Sequence, residues 1–144
     1  MKTCILTILI FLMPHSVSAL EIGEYLPSDV ADSTQYALIS AAQLDPSYQV
    51  KVGEFEYNVA TYPDSKLIRY IEIKDKGFVS EEGAHTGMTL SEISKLTTEN
   101  LIEERGWAYY VPLPSGWFAA FCVGQGCTSG AVVNSSVVSW LFKR

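Results

Sequence analysis

The sequence predicts an α+β domain built mainly from antiparallel β-sheet. Three observations carry that expectation. From Tyr48 onward apolar residues recur with a period of two, the period of a half-buried strand. Turn signatures such as Tyr62-Pro63-Asp64-Ser65-Lys66, Asp75-Lys76-Gly77 and Pro114-Ser115-Gly116 cut that pattern into hairpin-sized pieces. A single helix start, the capping box Thr89-Leu90-Ser91-Glu92, interrupts the strands.

The order of elements begins with a leader. Met1-Lys2 is a short positive segment, residues 4–13 (CILTILIFLM) are almost wholly apolar, and Pro14 breaks the run ahead of Val17-Ser18-Ala19. That three-part pattern reads as a secretory signal peptide over residues 1–19, cut after Ala19, leaving one exported domain over residues 20–144. The apolar run is about 15 Å long as a helix, half of a bilayer core, so no stable membrane anchor is expected after cleavage. A periplasmic or secreted location follows.

The chain carries 10 Lys+Arg against 16 Asp+Glu, a net charge of −6, and cleavage would remove one lysine more. Such an acidic chain with scattered basic residues is a poor binder of nucleic acid. Of its three cysteines Cys4 falls in the leader. Cys122 and Cys127 remain, and in an exported chain an even number argues for a disulfide across a small tip at Val123 to Gly126. A catalytic thiol paired with His85 is the competing use of one of them.

Residues 20–46 are the least legible. Asp32-Ser33 can cap an N-terminal helix over 33–44, although Tyr36-Ala37-Leu38-Ile39 would serve equally in a strand. Tyr48, Val50 and Val52 share one parity and Phe55, Tyr57 and Val59 the other, so a tight turn or bulge is expected at Gly53-Glu54. Residues 67–74 (LIRYIEIK) are apolar on both parities, as in a central strand covered on both faces. After the capped helix, expected over about 90–97, residues 98–105 read as either helix or strand. Residues 107–113 and 117–123 flank Pro114-Ser115-Gly116 as a hairpin, with Pro112 marking an edge or bulge because it has no N–H to give. A closing strand is expected within 137–142. Ile22 to Val30 also echoes Thr86 to Ile93, with a glycine, a leucine three residues on and then Ser-acidic-aliphatic. This hints at tandem units, although so short a match also arises by chance.

Phe78-Val79-Ser80, Gly83 and Gly87-Met88-Thr89-Leu90-Ser91-Glu92-Ile93 resemble a motif of small exported bacterial proteins. In those proteins F-x-T/S-x-x-G runs into G-x-T-x-x-E-V at the start of a helix. The resemblance covers about a sixth of the chain. It implies a periplasmic or secreted α+β domain and brings no catalytic residues with it.

Chemistry is sparse. His85 is the one histidine outside the leader and lies beside Glu81 and Glu82. No second histidine or paired-ligand spacing accompanies it, so neither a metal nor another cofactor is expected. The loop through Gly83, Gly87 and Thr89 could offer backbone N–H groups to an anion, but it lacks the Walker lysine and the dinucleotide spacing. Tyr110 and Phe118 fall on the faces of their strands opposite Val111 and Phe121. If that face were open it would be a patch for a protein or a cell-wall glycan; the commoner arrangement packs such rings inside. The resulting expectation is a non-catalytic exported binding protein of inhibitor, immunity or accessory type, with Tyr110, Phe118, His85, Gly83, Gly87 and Thr89 as its binding candidates. The alternatives are a small envelope hydrolase using His85 and the acidic loop, and a structural envelope component.

Overall fold

A computed structural model describes residues 20–32 and 35–144. The expected leader, residues 1–19, lies outside the described residues. The architecture is one eight-stranded, wholly antiparallel sheet curled into a half-barrel. Its strands are β1 (Gln35–Ser40), β2 (Gln43–Val52), β3 (Phe55–Thr61), β4 (Ile68–Ile73), β5 (Ile102–Glu104), β6 (Ala108–Pro112), β7 (Phe118–Phe121) and β8 (Trp140–Lys143). Their spatial order is β1-β2-β3-β4-β8-β7-β6-β5. Among the described residues the helical content is slight: one four-residue helix, α1 (Leu90–Ile93), and a short 3-10 turn (Gln125–Cys127).

Two expectations are corrected. The N-terminal helix over 33–44 is instead the hairpin β1–β2, and Ser33 itself lies outside the described residues. The turn at Ala41-Ala42 carries no Gly, Pro or Asn to announce it. A distant group stabilises it instead, the Glu104 carboxylate accepting from Ala41 N–H at 2.8 Å. The capped helix is shorter than 90–97. Its box forms as expected, with Glu92 N–H donating to Thr89 Oγ1 and Thr89 N–H to Glu92 Oε2. The next turn then tightens, Leu96 N–H bonding to the Ile93 carbonyl, and the chain leaves towards β5.

Other elements stand where the pattern put them. Gly53 (φ 62°) makes the tight β2–β3 turn, and β4 is central with both faces covered. Pro112 pairs with Phe118 on one side and lies beyond the reach of β5, so its missing N–H costs no ladder bond. Residues 102–104 are strand. The closing strand β8 is not an edge, for it lies between β4 and β7 at the middle of the sheet.

The faint echo is structural. Gly23 N–H bonds to Ile68 O at 2.9 Å, Ile68 N–H to Glu24 O at 2.7 Å and Leu26 N–H to Lys66 O at 2.9 Å. In the second half Gly87 N–H bonds to Val138 O at 2.9 Å, Val138 N–H to Met88 O at 2.8 Å and Leu90 N–H to Ser136 O at 2.8 Å. Each half is thus an extended cap followed by a four-stranded meander. β4 and β8 pair as Ile71↔Lys143, Glu72↔Phe142 and Ile73↔Leu141, a register centred on Glu72 and Phe142 and unchanged when the halves are exchanged.

The outer face of the sheet is packed beneath the two caps. Leu26 covers Val50, Val59, Ile68 and Ile71 in the first half. In the second, Leu90 and Ile93 cover Leu113, Ala119, Val138 and Leu141. The inner face holds a shared aromatic core of Tyr70, Trp107, Tyr110, Phe118 and Phe142. Strict strand alternation would put Trp107 on the face of Tyr109 and Val111, but it lies on the other. It precedes β6, so strand alternation does not bind it, and its ring turns inward to lie 5.1 Å from that of Phe142.

Candidate functional site

The glycine-bearing loop is a structural cap. Ser80 N–H donates to Ala84 O, Gly83 N–H to Ser80 O and Ala84 N–H to Ser80 Oγ, which buries Ala84 completely. Gly83 (φ 95°) and Gly87 (φ 90°) take backbone conformations that L side chains avoid. The N–H groups at the start of α1 are all engaged: Gly87, Leu90 and Ser91 donate to carbonyls of residues 134–138, and Glu92 and Ile93 donate to Thr89. The N–H groups considered as an anion cradle are therefore taken up by the chain's own backbone and by the capping box.

His85 is half-buried and its Nδ1–H donates to the Thr86 carbonyl at 2.9 Å. Glu82 turns away to accept from the Ser115 hydroxyl at 2.8 Å. The acidic loop and the histidine thus form no acid–base pair. Among the described residues, no group of three His, Cys, Asp or Glu side chains is placed to hold a metal ion.

Tyr110 and Phe118 are brought together, but on the packed inner face. Tyr110 is 7% exposed, its ring set edge-on to Phe118 at 5.7 Å and to Phe142 at 5.5 Å. Phe118 stacks on Phe142 at 4.9 Å. Burial pushes the Tyr110 hydroxyl above its ordinary range. That hydroxyl accepts from Arg144 at 2.8 Å and donates to Glu104 Oε2 at 3.4 Å. The open aromatic patch considered for this hairpin does not form, because the sheet curls and each half supplies the wall against which these rings pack.

The same groups latch the two edges of the sheet. Arg144 pairs with Glu104 at 2.9 Å, donates to Ile39 O and lies over the Trp107 ring at 5.0 Å. Trp107 Nε1–H donates to Leu38 O at 2.8 Å. Partial burial alone would raise the Glu104 carboxyl, but the Ala41 N–H and the Arg144 guanidinium hold it below its ordinary value. Edge carbonyls of β1 that could template another strand are thereby occupied.

Cys122 and Cys127 are bonded, as expected from their spacing. They close a compact turn, not a hairpin tip, in which Val123 N–H meets Cys127 O at 2.9 Å and Gly130 N–H meets Val123 O at 3.0 Å. This turn opens the long connection between β7 and β8. Tyr109 lies beneath that connection, its hydroxyl donating to Gly130 O at 2.8 Å.

Among the described residues no comparable roof covers the first half. Register places Tyr36 opposite Pro46 and Leu38 opposite Leu44, all on one face of β1–β2. Tyr36 is 63% exposed, Leu44 58% and Leu38 46%. The corresponding pair in the second half is Glu103↔Tyr109, a charged residue beside a covered ring. Sequence reasoning missed this surface because it placed these residues in a helix. The available signal was the alternation of Tyr36 and Leu38 before Ala41-Ala42 with Leu44 and Pro46 after it.

No protein-family model, curated protein or solved structure matches the chain. Among the described residues no helix is long and apolar enough to cross a membrane.

Proposed function

We propose that this chain is a non-catalytic, exported binding protein of inhibitor, immunity or accessory type, and that its partner is a protein docking on the outer face of β1–β2. One observation carries the reading: Tyr36, Leu38 and Leu44 stand exposed and adjacent on one face, where the position matching Tyr36 in the other half is the exposed but charged Glu103. Contiguous exposed apolar side chains of this size mark interaction surfaces more often than scattered single ones do. The disulfide and the leader pattern support export, and Glu82 is turned to Ser115, so it is not paired with His85 as a hydrolase built on the acidic loop would need.

The test is a photo-crosslinking amino acid placed in turn at Tyr36 and at Glu103, in cells exporting the protein. The expected result is one defined adduct from position 36 and none from position 103. Equal labelling at both positions, or none at 36, would sink the reading. So would an envelope hydrolase activity abolished by His85→Ala.

A further inference from the structure

The inner face of the sheet is apolar through its aromatic core, yet its first-half end is polar. Register runs a row across this face, Gln49↔Asn58, Asn58↔Glu72 and Glu72↔Phe142. A cleft of about 340 Å³ lies over the start of that row and is completed by Glu56, Lys74 and Asp75. Glu72 and Lys74 also line a second cleft of about 350 Å³, whose other wall is formed by Trp107, Trp140 and the Gly126–Cys127 turn. The two clefts adjoin at the Glu72–Lys74 pair, one with a polar floor and the other with an indole wall.

The chemistry of the paired clefts restricts what they can hold. Three carboxylates face one ammonium, and that ammonium, Lys74 Nζ, is already paired with Glu72 at 3.0 Å. An anionic ligand is therefore repelled. Glu72 also accepts from the Tyr70 hydroxyl at 2.8 Å and Asp75 Oδ1 from Gly77 N–H at 2.7 Å, so a cationic ligand would find open acceptor positions on Glu56 and Asp75 Oδ2 and share Glu72 with these donors. The Gln49 amide donates to Asn58 Oδ1 at 3.4 Å, which leaves the Asn58 N–H2 and the Gln49 carbonyl for neutral hydroxyls. The half-buried ring of Trp140 supplies a flat apolar wall of the kind on which the C–H face of a pyranose packs. Amide pair, indole wall and carboxylates together suit a sugar better than a peptide, which would bring few hydroxyls to the amides.

We propose that these adjoining clefts bind an oligosaccharide of amine-bearing sugars, with one ring against Trp140 and its ammonium groups on Glu56, Glu72 and Asp75. Of the three docking residues Leu38 borders the second cleft, whereas Tyr36 and Leu44 lie on the opposite face of the sheet, so Trp140 and Tyr36 report on the two proposals separately.

The experiment is an NMR titration of the isotope-labelled exported chain, disulfide intact, with a glucosamine tetrasaccharide at mildly acidic pH. The Trp140 indole resonance should move on binding while that of Trp117, on the outer face, stays in place. Glu56→Gln combined with Asp75→Asn should weaken binding about tenfold, the expectation for losing charge-assisted contacts. Both side chains are exposed, so a retained spectrum certifies the fold. A Trp140 resonance unmoved at millimolar sugar, an affinity unchanged in the double variant, or a tetralysine peptide binding as tightly as the sugar would each overturn the proposal.

Discussion

The two halves of this molecule share a plan and differ in one connection. Each has a cap whose glycine and leucine dock at the entry to its last strand through the same three backbone bonds, and each lays apolar side chains beneath that cap. Between β3 and β4 the chain passes through residues 62–67 only, whereas between β7 and β8 it makes the long excursion 122–139. That excursion is pinned by the disulfide and roofs Tyr109; the short one leaves Tyr36, Leu38 and Leu44 bare. The repeated part is what the fold requires, for without a cap neither half covers the outer face of its sheet. The unrepeated part is free to serve function, as connections usually are.

The largest effects should come where the halves are equivalent. Ile71 and Leu141 occupy matching positions beneath the two caps and are each 1% exposed. Truncating either to alanine removes comparable buried volume, and each should cost about 3 kcal/mol of unfolding free energy. Urea denaturation of the two variants checks the equivalence. A loss from Leu141→Ala several times that from Ile71→Ala would break it, since it would mean that the second half alone holds the core.

An intermediate effect tests what joins the halves at their edges. Glu104 belongs to the second half, and its carboxylate holds Ala41 N–H of the first as well as Arg144. Glu104→Gln keeps the shape and loses the charge, at an expected cost of about 1–2 kcal/mol. The sign with pH follows from the lowered carboxyl. A group whose folded-state pKa is depressed contributes stability above its unfolded value, here 4.5, and loses it as pH falls through the depressed one. Wild-type stability should therefore decline more steeply below that value than stability of the Glu104→Gln variant. Parallel pH profiles of thermal unfolding would show that the latch contributes nothing.

How much of this was legible follows from where the stabilising partners lie. The capping box, the turns at Gly53, 62–67 and Gly116, the central strand β4 and the Cys122–Cys127 bond rest on residues close in sequence, and all were readable. β1–β2 was not, because its turn depends on Glu104, 63 positions away. The inner-face fate of Tyr110 was equally hidden, since alternation shows that two rings share a face but not that the sheet curls until Tyr70 and Arg144 meet them. The repeat lay between these cases: its glycines and leucines were visible, and only the matching hydrogen bonds distinguish it from coincidence.

The smallest expected effect on stability is the most informative about the open face. Tyr36 and Leu44 project from β1–β2 into solvent, so Tyr36→Ser with Leu44→Ser exposes no new core and should change the unfolding free energy by no more than about 0.5 kcal/mol per site. Tyr109→Ser differs, because it empties the space under the roof and leaves Gly130 O without its hydroxyl donor. A loss of about 2 kcal/mol is expected there, with faster amide exchange in residues 123–130. The contrast separates two explanations of the same chemistry. If the bare side chains of the first half were merely a loosely packed version of the second, all three substitutions would destabilise alike. If the first-half face is kept bare for a partner, its two substitutions leave the monomer intact, and Leu44→Ser abolishes the adduct formed by the crosslinker at position 36.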